Sequence, residues 1–271
     1  MPIPKHPGLT DPRLVIDRLV KTDEFIDSNK GLGPQLGRKG FELALSDAAL
    51  CSANKFTEEH GGFATLDVLQ ERLIGLIPQF IDVQTKLNKV NLHPTQAGAL
   101  LRQIMPFNHT IGEIIEMAPN VRLSDLMKFI KGAAMNSLAD TSGVSVLDRE
   151  CRIVIHGFRN EINAEKVLWL IDGVEDVQKA TVSQELRHID RVVTYKGEEL
   201  YLDVKSSEAD AAYANRMMRD VNMRAIWSGF TTEDFGDKLS LPDELINREV
   251  PYYQDMLDDM LDSVNMRVRA V

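Results

Sequence analysis

The twenty residues His188–Ser207, HIDRVVTYKGEELYLDVKSS, decide how the second half of this chain folds. Ile189–Tyr195 is rich in β-branched and aromatic residues, Lys196-Gly197 makes a turn, and Glu199–Lys205 is a second strand-like run. Two such runs across a two-residue turn make a hairpin. Side chains alternate along a strand, so Asp203 and Lys205 share one face while Leu202 and Val204 take the other, where a core holds them. Pairing across the turn places Asp190 at the far end of its strand. Asp203 and Lys205 run back toward that same end. Neighbouring strands lie about 4.8 Å apart, so the two carboxylates can share one cation.

Working outward, Val174–Val182 reads as a strand before the hairpin and Met223–Phe230 as one after it. Asn163 caps a helix over Ala164–Ile171, which Asp172-Gly173 stops. Ser206 and Ser207 cap another from Glu208 to about Val221. The order helix, strand, strand, strand, helix, strand is an α/β unit. The texture changes near residue 145, and Arg152–His156 (RIVIH) is already apolar and β-branched.

The preceding region reads as helical. Asp11 caps a helix to about Ile26, Phe41–Ala53 follows a loop, and Phe63–Lys89 carries Leu, Ile and Val at helical spacing. Pro78 is expected to break or kink that helix. Further helices open at Pro94-Thr95 and cover Ile111–Met117 and Leu123–Leu138. Gly31–Gly40 (GLGPQLGRKG) lacks the Gly-Lys-Ser/Thr ending of a phosphate-binding loop, and no strand precedes it, so it reads as a connecting loop.

Charge divides the chain in a third way. Of 271 residues, 31 are basic and 41 acidic, a net charge of −10. On bulk charge this argues against nucleic acid, because phosphate contacts come from Lys and Arg. Between Glu233 and Asp262, however, ten acids face only Lys238 and Arg248, which localises −8 of the −10. The rest is near neutral. The acidic stretch is either a solvated helical appendage or an arm that mimics phosphate and recruits a basic protein partner. Cys51 and Cys151 are too few for a disulfide scaffold and read as buried thiols. No signal-peptide pattern and no long apolar run are visible, so the expectation is a cytoplasmic protein without a membrane partner.

Two acids and a lysine on adjacent strands need a reason to sit together. Like charges repel unless a divalent ion neutralises them. Mg²⁺ takes one or two carboxylates plus substrate phosphate and keeps several waters. Glu165 on the preceding helix is placed to complete the shell, with Glu161 its rival. At these residues the chain resembles the PD-(D/E)XK nuclease superfamily. Glu165 (AEKVLWLI) matches the helical Glu, Asp190 (HIDRVV) the first strand acid, and Asp203-Val204-Lys205 (YLDVKSS) the signature triplet. The family's Pro before the strand acid is Ile189 here. The Gln-x-x-x-Tyr motif of some members is represented by Tyr213 alone, with Ala209 at the Gln position.

The resemblance covers about residues 151–230. It implies a restriction-endonuclease-like mixed sheet flanked by helices, and a Mg²⁺- or Mn²⁺-dependent endonuclease or phosphodiesterase. Glu165, Asp190 and Asp203 would be metal ligands and Lys205 the catalytic lysine. The expected substrate is nucleic acid, DNA rather than RNA, with weaker phosphate contacts from His188, Arg216 and Arg219. Glu185 is expected to be solvated, and Trp169, Trp227, Met217, Met218 and Met223 to be core. The expected organisation is a helical domain over 1–145 for substrate or partner binding, a nuclease-like domain over 146–232, and an acidic helical tail over 233–271. A protein-interaction module using the helical region and the tail is the alternative. Another metal-dependent chemistry on the same acids is a third reading.

Overall fold

The computed structural model describes residues 8–32, 37–88, 92–218 and 220–269, and the chain divides into two compact units, Met1–Ile155 and His156–Val271. It is a mixed α/β protein. Among the described residues no helix is long and apolar enough to cross a membrane.

The first unit is helical. Its helices are α1 (Pro12–Leu19), α2 (Asp23–Leu32), α3 (Gly37–Glu59), α4 (Leu66–Leu87), α5 (Pro94–Met117) and α6 (Leu123–Ser137), followed by the first turns of α7 (Val144–Leu168). Asp11 caps α1 by accepting the Arg13 N–H at 2.9 Å, with Pro12 in the first helical position. The helix expected to run to Ile26 ends at Leu19, because the Thr22 hydroxyl bonds back to the Leu19 carbonyl and then receives the Phe25 N–H. Helix α4 forms the centre, and Leu69, Leu73, Ile77 and Phe80 are all buried. Phe80 stacks on Phe107 with ring centroids 4.0 Å apart. Pro78 lies inside α4 without ending it. Buried Glu71 is paired by Arg18 at 2.7 Å and by the Ser52 hydroxyl at 2.8 Å. Residues 33–36 of the Gly31–Gly40 stretch lie outside the described residues. Cys51 is exposed and only Cys151 is buried, where loss of solvent pushes its thiol pKa up.

One helix, α7, runs through the region where a boundary and a change of texture were expected. Arg152–His156 is helical because Leu147, Cys151 and Ile155 form a buried stripe at four-residue spacing. Asn163 is not a cap. It is fully buried inside α7, donates to the Arg159 carbonyl at 2.7 Å and accepts the Leu241 N–H at 3.0 Å.

The second unit follows α7 with β1 (Val174–Lys179), α8 (Val182–Glu185), β2 (Arg191–Tyr195), β3 (Glu198–Lys205), α9 (Glu208–Met217), β4 (Met223–Trp227), α10 (Thr232–Phe235) and α11 (Asp243–Arg269). The sheet order is β1-β2-β3-β4; the first two pairings are antiparallel and β3–β4 is parallel. Lys196 (φ +48°) and Gly197 (φ +82°) take the left-handed region that the tight turn requires. Ser207 caps α9, accepting the Asp210 N–H at 3.1 Å.

One face of the sheet carries Val193, Tyr195, Leu200, Leu202, Val204 and Ile226. Ala164, Val167 and Leu168 of α7 cover it together with Tyr253, Met256, Leu257 and Met260 of α11. The acidic C-terminal stretch is thus a layer of this unit, and its apolar stripe, not its charge, sets its place. Tyr253 is fully buried and its hydroxyl donates to the Ser228 carbonyl at 3.2 Å. Several of its acids are matched locally. Asp258 accepts from Tyr195 and from Lys196, both at 2.7 Å, and these bonds pull its carboxyl down to about 2. Arg248 pairs with Asp234 at 3.3 Å and with Glu249 at 2.7 Å. Helix α9 lies on the opposite face, where the Asn215 amide brackets Ala225 of β4, donating to its carbonyl at 2.7 Å and accepting its N–H at 2.8 Å. Trp169 and Met217, expected in the core, are exposed.

Candidate functional site

Arg191 of β2 stands opposite Leu202 of β3, and Asp190, just before the strand, also meets Leu202 through its backbone. Asp203 belongs to the face that looks toward α9, away from Leu202 and Val204, and the Asp190 carboxylate lies at the end of β2 against the Val204 N–H. Asp190 is fastened twice to β3. Its N–H donates to the Leu202 carbonyl at 2.8 Å, and its Oδ2 accepts the Val204 N–H at 2.7 Å. Asp203 is only 2% exposed, and the Lys205 Nζ lies 2.5 Å from its Oδ1. The Asp-x-Lys spacing places the two side chains together as strand alternation requires.

The charge balance here is uneven. Burial pushes the Asp190 carboxyl well above the usual carboxylate range, and the negative charges of Glu161 and Asp203 push it further. The Val204 N–H and the Lys205 ammonium oppose that shift. Lys205 is the cation paired with Asp203, and the charge of Asp190 is opposed by both Asp203 and Glu161.

Glu165 takes a different place from the one sequence matching implies. Its Oε2 accepts from Arg191 Nε at 2.9 Å, and Glu161 Oε2 accepts from Arg191 Nη1 at 3.2 Å. The two glutamates lie one turn apart on α7, so one guanidinium fork reaches both. Arg191, 3% exposed, points to the α7 side of the sheet because it shares the face of Leu202. Glu161 is the α7 acid whose charge acts on Asp190. Among the described residues no group of three or more His, Cys, Asp or Glu is arranged to hold a metal ion. What the fold assembles is a carboxylate pair. That pair suits a Mg²⁺-type ion that takes two protein carboxylates and completes its shell with water and phosphate.

His188 is exposed, at φ +62°. It lines a cleft of about 670 Å³ together with Asp203, Lys205, Tyr213, Met217 and Met223. Arg187, also in its wall, pairs with Asp220 at 3.3 Å. Arg216 stands over the Tyr213 ring with its guanidinium carbon 5.7 Å from the centroid. Arg219 lies outside the described residues. Glu185 ends α8.

Sequence reasoning missed Arg191 and the apolar wall of the cleft. Alternation was the available signal for Arg191: two residues before Val193 on the core face, it needs acids to meet it. Comparison of the chain with protein-family models, curated proteins and solved structures gives no match.

Proposed function

We propose that the second unit is a divalent-metal-dependent phosphodiesterase, an endonuclease acting on DNA. The observation that carries this reading is the crowding of Asp190 against Asp203: Asp190 accepts the Val204 N–H at 2.7 Å, the Asp203 charge acts on it, and Lys205 lies 2.5 Å from Asp203. The order α7, β1, α8, β2, β3, α9, β4, with the Asp-x-Lys strand leading into a helix, supports the resemblance to PD-(D/E)XK nucleases and to a restriction-endonuclease-like sheet.

Asp190 and Asp203 would hold Mg²⁺ or Mn²⁺, with Glu161 or Glu165 contributing charge from α7. Such an ion, when bound, polarises a phosphoryl oxygen and acidifies its water. Lys205 presents an ammonium where charge builds on the phosphate and orients the attacking water. The hydrogen bond from Val204 N–H keeps one Asp190 oxygen fixed, so the other is presented in one direction. Arg191 pairs both α7 acids, and the Glu161 charge still acts on Asp190.

Plasmid and single-stranded DNA incubated with Mg²⁺ or Mn²⁺, and with chelator, test the reading. Metal-dependent cutting that Asp203→Ala and Lys205→Ala abolish is the expected result. Failure to cut DNA or RNA with either metal overturns it.

A further inference from the structure

The cleft beside Asp203 has a second wall whose chemistry the carboxylates do not explain. Helix α9 presents Tyr213 and Met217, one turn apart, at 63% and 69% exposure. Ala214, Met218 and Met223 continue that wall, and Asp203 and Lys205 form the opposite one. The helix is not loosely attached: Ala211 is buried against the sheet, and Asn215 holds both backbone groups of Ala225. A pinned helix therefore leaves an aromatic ring and a thioether in water within the cleft where a phosphate would lie.

Electrostatics narrows what this wall receives. Gripping a duplex takes several unpaired Lys or Arg side chains on successive phosphates. Among the described residues, the Lys and Arg side chains lining the cleft are in ion pairs, Arg187 with Asp220 at 3.3 Å and Lys205 with Asp203 at 2.5 Å, and Asp210 adds further negative charge to the lining. What the α9 wall offers a ligand is stacking. Base–aromatic stacking tolerates any sequence because every base has a π-face. A paired base has both faces covered by its neighbours, and an unpaired one does not. The cleft, at about 670 Å³, is within the range of sites that enclose a small-molecule-sized group.

We propose that this cleft is a stacking subsite for one unpaired base of single-stranded DNA, with Tyr213 as its platform. The assignment rests on the phosphodiesterase reading of the adjoining carboxylates, and it makes unpaired DNA the substrate class.

Fluorescence anisotropy on the full chain with chelator present tests it, using a labelled single-stranded oligodeoxynucleotide and its duplex. The single strand is expected to bind at least about tenfold more tightly than the duplex. Tyr213→Ala should weaken single-strand binding by about tenfold or more, and Tyr213→Phe should keep it near wild type. Equal affinity for both forms, or no loss in Tyr213→Ala, overturns the proposal. A parallel cutting assay with Mg²⁺ or Mn²⁺ separates the two readings. Tyr213-dependent binding without cutting leaves the subsite and removes the phosphodiesterase. Duplex cutting that Tyr213→Ala leaves unchanged removes the subsite and leaves the phosphodiesterase. Neither binding nor cutting removes both.

Discussion

Asp190 uses its side chain as a strand would use its backbone, taking the Val204 N–H on Oδ2 at 2.7 Å. The carboxylate is thereby drawn out of water and placed beside Asp203 and Glu161, which raises its pKa. An unfolded Asp ionises near pH ~3.9, so between that value and the raised one the folded state holds the extra proton. Stability contributed by this proton is present at low pH and is lost as pH rises through the folded pKa. Asp190→Asn keeps an acceptor for Val204 and carries no charge. Its urea midpoint should exceed that of the wild type at neutral pH, and the gap should close toward about pH 4. Parallel profiles would show that Asp190 is not held against its charge.

The same crowding predicts a metal response. Mg²⁺ or Mn²⁺ should raise the Tm of the wild type, because a ligand that binds only the folded state stabilises it by mass action. Asp190→Asn and Asp203→Asn should lose most of that rise. An equal rise in all three proteins would place the cation elsewhere.

Arg191 is held between Glu161 and Glu165. Arg191→Met removes the guanidinium that two partly buried glutamates meet and should destabilise the protein by about 3 kcal/mol. Arg191→Lys should recover only part of this, since an ammonium cannot bond both acids through a planar fork. Chemical denaturation at neutral pH measures both, and a Lys variant equal to wild type would show that the fork geometry is unimportant.

Two substitutions on α11 separate its packing from its charge. Tyr253→Ala removes a fully buried ring and its bond to Ser228, and should cost about 3–5 kcal/mol. Asp258→Asn removes an ion pair at the half-exposed hairpin turn and should cost less than about 1 kcal/mol at neutral pH. The folded Asp258 carboxyl lies at about 2, so its contribution exists above the unfolded pKa and disappears as pH falls from about 4 to about 2. A larger loss from Asp258→Asn than from Tyr253→Ala would reverse this assignment of roles.

What the sequence made legible was local. The Lys196-Gly197 turn and strict alternation were enough to put Asp203 and Lys205 on one face, and the observed register agrees. The order of the four strands and of α9 was readable as well, while the short helices α8 and α10 were not. The remainder depended on partners distant in sequence. Arg152–His156 has strand-like composition, but a buried stripe extending on both sides of it makes it helix. Glu165 could be aligned with a motif, yet its place is set by Arg191, 26 residues away. The acids of residues 233–262 concealed an apolar stripe whose significance appears only once the sheet it covers is in view.

Helix α11 has a further implication for how the second unit comes into being. Strands β2 and β3 leave the ribosome well before Tyr253, Leu257 and Met260, which complete the apolar layer over them. During synthesis the hairpin therefore emerges with α7 alone available to cover its greasy face, and the rest of that face stays bare until some fifty further residues have been added. Domains generally fold as units in synthesis. A chain terminated before α11 would carry every residue of the carboxylate site and lack the layer that holds its strands in register. Its nascent hairpin is the stretch most exposed to chaperones and to aggregation.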